Sequence, residues 1–157
     1  FSEKFPCVPF GANIVIADDS MRRAVDRCSL VTGAFGLNIM GIAATRAAYQ
    51  YGEEWLDELN AYIEGNYELV KSRLAGTKLK LTDVEGTYLI WLDFADAFGN
   101  YRDLRKFIED EAKLWLDGGV IFGRETALFE RINIASPRSI IEQAMEQLYA
   151  AYSRRFG

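Results

Sequence analysis

Apolar positions near the start of the chain change from a short continuous run to a helical period. Residues 14–17 are apolar and are followed by Asp18 and Asp19, which predicts a short buried strand. Either aspartate can cap a helix that continues to a break at Gly33, because its carboxylate accepts hydrogen bonds from the free amides of the first turn. The pattern therefore predicts a strand followed by a helix.

A second helical pattern extends from about residue 39 to residue 74. Its apolar residues recur mostly at steps of three and four, which is the spacing of one helix face. Gly52 and Gly65 are positions where so long a helix can bend, and Gly76 suits a left-handed cap. We predict one long helix that joins two parts of the protein.

The second half of the chain alternates like a sheet. Residues 79–82 alternate, residues 85–86 suit a turn, and residues 87–94 are rich in β-branched and aromatic side chains, which predicts a hairpin. Because side chains alternate along a strand, Ile90 and Trp91 are expected on opposite faces of the second strand.

A helix and a short strand are predicted next. Asn100 can cap a helix whose apolar positions continue to Trp115, and Gly118 ends it. Residues 120–122 are apolar and predict a short strand.

One more strand and a last helix complete the pattern. Residues 129–135 predict a strand, and Ser136 followed by Pro137 predicts a helix that begins at the proline. From residue 77 onward the order of elements predicts an α+β fold, with helices on one face of an antiparallel or mixed sheet.

Composition excludes several classes of function. The net charge is −5 and basic residues are scattered among acids, which argues against nucleic-acid binding. Two cysteines and no histidine argue against a disulfide framework, a metal site and a His-dependent hydrolase triad. No apolar run reaches the roughly twenty residues that a membrane helix needs. We therefore expect a cytoplasmic protein that binds no metal, no nucleic acid and no membrane.

Three basic residues have candidate chemistry. Arg131 interrupts an apolar strand and Arg138 lies in the first turn of the next helix, so that two guanidinium groups near a helix N-terminus would suit a carboxylate or phosphate. The alternative is pairing with local acids such as Glu130 or Glu142, and ion pairs outnumber ligand sites on protein surfaces. Lys4 lies among apolar residues and is either a Schiff-base amine or an ordinary solvated lysine.

Four segments resemble, in the same order, the C–S β-lyase (cystathionine β-lyase-like) branch of the class I/II aminotransferases, which are fold-type I pyridoxal-phosphate enzymes. The segments are AAY…GEEWL…YIEGN at residues 47–66, EGTYLIWLDF at 85–94, WLDGGVIFG at 115–123 and RINIASPR at 131–138. The resemblance covers nearly all of the chain and implies the C-terminal portion of such an enzyme.

This resemblance implies a division of the chain. Residues 1–35 correspond to a remnant of the large cofactor-binding domain, residues 36–76 to the linking helix and residues 77–157 to the small α+β domain. The family's phosphate loop, stacking aromatic residue and pyridine-nitrogen aspartate precede this segment. The chain alone is therefore expected to bind pyridoxal phosphate weakly or not at all and to be inactive, whereas the full-length enzyme is expected to be a homodimer.

The resemblance also assigns roles to the basic residues. Arg131 matches the arginine that holds the substrate α-carboxylate, and Arg138 matches a second arginine of the β-lyase branch. The family's Schiff-base motif is Ser-Lys-Thr-Phe. When residues 2–5 are aligned with it, Glu3 stands in the lysine position and Lys4, one residue later, becomes the Schiff-base candidate.

The implied activity is transamination of amino acids or cleavage of a C–S bond by β-elimination, and the motifs favour elimination. The alternative is a non-catalytic α+β domain, used for binding or dimerisation and descended from the same family. Glu3 in the lysine position and the absence of the N-terminal half favour this alternative.

Overall fold

The computed structural model describes residues 15–33 and 39–157. The chain divides into two compact units between Leu59 and Asn60. None of the helices in the described ranges is long and apolar enough to cross a membrane.

The first unit contains helices α1 (Asp19–Thr32) and α2 (Ile39–Tyr51). The Asp18 carboxylate accepts a hydrogen bond of 2.7 Å from the Met21 amide, as the first free amides of a helix require. Gly33 ends α1 with a left-handed φ of 70°. The predicted start and end of this helix are confirmed.

The strand predicted over residues 14–17 is wrong where the structure describes it. Residues 15–18 have no regular structure, and Val15 is 95% exposed. A strand needs a neighbour for its backbone hydrogen bonds, and none of the described strands pairs with this segment. Residue 14 lies outside the described residues.

The long helix predicted over residues 39–74 is two helices. After α2, helix α3 (Glu53–Leu74) begins beyond Gly52. Glycine lowers helix stability by about 1 kcal/mol relative to alanine, which makes Gly52 a natural position for the break. Gly65, in contrast, continues inside α3, and Gly76 has the predicted left-handed φ, 81°.

The second unit is built on a four-stranded antiparallel sheet with the order β1-β2-β4-β3. This confirms the predicted α+β fold. The strands are β1 (Lys80–Leu81), β2 (Leu89–Asp93), β3 (Asp117–Gly118) and β4 (Phe129–Asn133).

The core of the second unit lies against one face of this sheet. Ile90 and Leu92 from β2 and Ile132 from β4 are buried together with apolar residues from the helices. Trp91 is half-buried on the opposite face, so the predicted alternation of Ile90 and Trp91 is confirmed. The buried helix residues include Val70, Leu74, Leu104, Phe107, Met145 and Leu148.

Helix α4 (Tyr101–Lys106) is shorter than predicted. The Asn100 side chain caps it by accepting a hydrogen bond from the Asp103 amide, and a π-helical turn continues it over Phe107–Glu111. The left-handed φ of Lys113, 56°, then turns the chain away. Trp115 lies in a stretch without regular structure after this turn, so the prediction that it belongs to the helix is wrong.

Two predicted boundaries near the C-terminal elements also differ. Residues 120–122 are not a strand, because a 3-10 turn occupies Gly119–Ile121 and the strand is the preceding β3. Helix α5 (Arg138–Phe156) begins one residue later than predicted, with Pro137 as its N-cap and no side-chain cap.

Candidate functional site

The outer face of the sheet, opposite the core, carries the predicted Arg131. The strand register places Trp91 of β2 on one side of Arg131 and Asp117 of β3 on the other. Residues directly opposite one another on adjacent antiparallel strands share a face of the sheet. Trp91, Arg131 and Asp117 therefore form one row across the sheet.

The Arg131 guanidinium is held on one edge and over one face. Its Nη2 and Nε donate to the same oxygen of Asp117, Oδ2, at 2.7 Å and 3.3 Å. Its Cζ lies 4.5 Å from the centre of the Phe122 ring, within cation–π range. The edge formed by Nη1 and Nη2 bonds no further acceptor among the described residues, so it is open to a carboxylate.

A tight loop holds Phe122 in this place. The Thr126 hydroxyl donates to the Gly119 carbonyl at 2.7 Å and to the Gly123 carbonyl at 3.1 Å. A Cβ atom on Gly119 would overlap the Thr126 carbonyl oxygen, so only glycine fits there. Phe122 also meets the edge of Trp91, with ring centres 5.1 Å apart.

Arg138 has a different environment. Its Nε donates to Asn66 Oδ1 at 3.1 Å, its backbone amide donates to the Tyr62 hydroxyl at 2.7 Å, and its Cζ lies 5.1 Å from the Tyr62 ring centre. Asn66 is buried and donates in turn to the Ile134 carbonyl at 2.8 Å. These bonds connect the start of α5 to α3, and among the described residues Arg138 shares no partner with Arg131.

The acid beside Arg131 is not one of those predicted from sequence. Neither Glu130 nor Glu142 forms an ion pair with Arg131 or Arg138 in the described structure, whereas Asp117 pairs with Arg131. Sequence reasoning missed Asp117, and it also missed Phe122 and Asn66, although all three lie within the motifs at residues 47–66 and 115–123. No local pattern in the sequence points to Asp117, because the strand that carries it is only two residues long.

Glu130, one of the acids that the ion-pair alternative offered as a partner for the arginines, lies in the core. Its side chain is fully buried, and neither carboxylate oxygen has a hydrogen-bond partner in the described structure. Burial raises the pKa of this carboxyl to about 7, although the positive charge of Arg105 opposes the shift. Glu130 is therefore separate from the open face that holds Arg131.

Other predicted residues are not placed by the structure. Lys4 and Glu3 lie outside the described residues. Within the described ranges, no group of three or more His, Cys, Asp or Glu side chains is arranged to hold a metal ion.

No family model matches the chain. Cystathionine beta-lyase PatB of Bacillus subtilis is 32% identical over 156 residues, which are 97% of this chain and 40% of the relative. Protein MalY of Escherichia coli is 31% identical over 90% of this chain and 37% of its own length.

A solved structure gives the same picture. Cystalysin from Treponema denticola, which contains a pyridoxal 5′-phosphate cofactor, superposes with a TM-score of 0.86 at 29% identity. The match covers 98% of this chain and 40% of cystalysin. The chain thus spans about two fifths of the length of these proteins.

Proposed function

Because the chain is homologous to the C-terminal part of the C–S β-lyase branch of fold-type I pyridoxal-phosphate enzymes, we propose that it supplies the small domain of such an enzyme acting on amino acids. C–S β-elimination is the favoured reaction, since the curated relatives include proteins named cystathionine beta-lyase. Transamination is the other reaction open to the same machinery.

The observation that carries this proposal is the open edge of the Arg131 guanidinium. A substrate carboxylate fits the Nη1/Nη2 edge as a bidentate, charge-assisted pair. Aromatic cover from Phe122 keeps water from one face of the guanidinium, which strengthens the pair. Arg131 would thereby hold the substrate in one orientation.

That orientation is what the chemistry needs. When bound, pyridoxal phosphate supplies an electron sink for the charge that develops at the substrate Cα as its proton leaves. When Arg131 fixes the carboxylate, the orientation of the Cα–H bond is restricted as well. Arg131 thereby lowers the entropic part of the activation barrier for breaking that bond. Lys4 is the residue of this chain that we assign to hold the cofactor, from the resemblance of residues 2–5 to the family's Schiff-base motif. The resemblance alone supports Arg138 as a second carboxylate contact, since its Nε and Nη2 already donate to Asn66 and Tyr62.

Elimination and transamination give different products from one thioether substrate. With cystathionine and the full-length protein loaded with pyridoxal phosphate, β-elimination followed by hydrolysis consumes one water and yields homocysteine, pyruvate and ammonia. We expect stoichiometric pyruvate and free thiol without an added oxo acid. Amino-group transfer to an added 2-oxo acid, with no thiol released, would identify an aminotransferase instead. Turnover of neither kind would favour the non-catalytic domain.

Assembly and location belong to the same proposal and rest on the resemblance. We propose a cytoplasmic homodimer of the full-length enzyme. Sedimentation of the full-length protein as a monomer at micromolar concentration would count against the dimer.

A further inference from the structure

We propose that Asp117 is the positioning residue of the carboxylate site: it grips the Nε/Nη2 edge of Arg131 so that the Nη1/Nη2 edge is presented to the substrate. This inference rests on the proposed function, since it assigns the substrate carboxylate to Arg131. It adds a residue that never touches the substrate and acts through Arg131.

The geometry separates the two edges of the guanidinium. A planar guanidinium offers one fork formed by Nε and Nη2 and another formed by Nη1 and Nη2. Asp117 Oδ2 lies 3.3 Å from Nε and 2.7 Å from Nη2, which places it on the first fork. The second fork is left for a carboxylate, so Asp117 orients Arg131 without occupying the substrate's place.

Phe122 fixes the remaining freedom of the guanidinium. An ion pair along one edge still allows the plane to swing about that edge. The Phe122 ring centre lies 4.5 Å from the guanidinium carbon, so the ring blocks rotation of the guanidinium plane toward that side. The hydrogen bond from Thr126 and the close backbone packing at Gly119 constrain the loop that carries Phe122, and so hold its ring in place.

The strand register explains why Asp117 lies beside Arg131. Asp117 and Arg131 are directly paired residues of β3 and β4, so their Cα atoms are fixed by the sheet rather than by a loop. The next residue, Gly118, is buried and would bring a Cβ to 3.5 Å from Tyr101 and Arg105 side-chain atoms. Gly118 therefore packs against the core side of the sheet, while Asp117 faces the outer side.

Two opposite effects decide the sign of the expected result. Removing the Asp117 charge would strengthen the electrostatic attraction between Arg131 and an anion. This effect is small, because the Asp117 side chain is 51% exposed and solvent screens its charge. The neutral amide of Asp117→Asn also accepts more weakly than a carboxylate, which loosens the Arg131 side chain, so that each arriving substrate must order more of its rotamers. Because the first effect is screened and the second is not, we expect weaker carboxylate binding.

The test uses the full-length enzyme loaded with pyridoxal phosphate. In Asp117→Asn we expect KM for the amino acid to rise roughly tenfold, with kcat within about twofold and the cofactor absorbance unchanged. Calorimetric affinity for propionate, a carboxylate with no amino group, should fall by a similar factor. Asp96→Asn is the matched control, since Asp96 is 53% exposed and also forms a 2.7 Å ion pair, with Lys80.

Each outcome decides between the claims. Arg131→Lys is measured alongside, and severe loss of propionate binding there with a normal or tighter Asp117→Asn would overturn the positioning role while leaving the proposed function standing. Unchanged propionate binding in Arg131→Lys would remove Arg131 from the site and the inference with it. If Asp117→Asn fails to fold, Phe122→Leu, which removes only the aromatic cover, should give the same KM-selective rise, and a normal KM there would contradict the account.

Discussion

At the scale of single residues, Glu130 is an ionisable side chain buried in an apolar core. It projects from β4 into the core, and neither carboxylate oxygen is hydrogen-bonded in the described structure. Burial is the main cause of its raised pKa, about 7, while Glu109 and Asp117 add repulsion and Arg105 partly compensates. The neutral acid is thus the form that the core accommodates below pH 7.

This environment predicts a pH-dependent stability. Because the folded-state pKa lies above the usual glutamate value of 4.5, the unfolded chain releases this proton at lower pH than the folded chain does. The free energy of unfolding should therefore fall as the pH rises from about 4.5 to about 7 and then level off, with a total loss on the order of 3 kcal/mol from this group.

Glu130→Gln tests that expectation in urea unfolding of the full-length protein at pH 5 and pH 8. The variant should lose most of the difference between the two pH values, because it has no proton to exchange. Glu146→Gln, at an exposed position of α5, is the control and should keep the difference. An unaltered pH dependence in Glu130→Gln would show that another group is responsible.

At the same scale, sequence predicted some side chains well and others poorly. Asp18 and Asn100 were predicted as caps because capping depends only on neighbours along the chain. The partner of Arg131 was not, because a cross-strand partner depends on which residues form the opposite strand. The burial of Glu130 was not predicted, because it follows from the register of β4 and not from the residue type.

At the scale of elements, the connection between β3 and β4 supplies the aromatic ring of the site, Phe122. The run Val120–Phe122 has a strand-like composition, yet the structure uses it as a turn that lays Phe122 over Arg131. Alternation and propensity predicted β2 and β4, since both bury one face against the core. Alternation and propensity do not predict β3, because a strand of two residues is too short to show an alternating pattern of buried side chains.

Gly119→Ala tests the requirement for this turn. The added Cβ would overlap the Thr126 carbonyl oxygen and lie 2.8 Å from the Phe129 carbonyl oxygen. Both contacts are with backbone, so relief requires the loop to move, and we expect a loss of about 2 kcal/mol or more in unfolding free energy. The measurement is chemical denaturation of the full-length protein.

Gly99→Ala is the control for that experiment, because a Cβ there meets nothing within 4 Å. It should change the unfolding free energy by no more than about 1 kcal/mol. Equal stabilities for the two variants would mean that the loop adjusts freely and does not fix Phe122.

At the scale of the whole molecule, the two units differ in how much they bury. The second unit has a continuous apolar core that joins the sheet to the helices. In the first unit, α1 buries none of its residues and α2 buries only Gly41 among those described. The predicted α+β fold was accessible from sequence because it is formed by local patterns from residue 77 onward. The start of the second unit at Asn60, within α3, was not accessible, because it depends on contacts between distant residues.

The chain alone should bind pyridoxal phosphate with a dissociation constant weaker than micromolar. It spans 40% of cystathionine beta-lyase PatB and 40% of cystalysin, which contains pyridoxal phosphate, and the role proposed for its described part is to hold the substrate carboxylate. Spectrophotometric titration of the 157-residue chain with pyridoxal phosphate measures this directly. Micromolar or tighter saturable binding would contradict the expectation, and the same titration of the full-length protein is the positive control.

The central claim is that Arg131 holds the substrate carboxylate of a pyridoxal-phosphate enzyme, and kcat/KM of Arg131→Lys in the full-length, cofactor-loaded protein tests it most directly. Lysine keeps the charge but loses the planar fork. We predict a fall of roughly two orders of magnitude, on the order of 3 kcal/mol, with unchanged cofactor absorbance. Arg102→Lys, at an exposed position of α4, should leave kcat/KM unaltered. Normal kcat/KM in Arg131→Lys would contradict the account and leave Arg131 as an ordinary partner of Asp117.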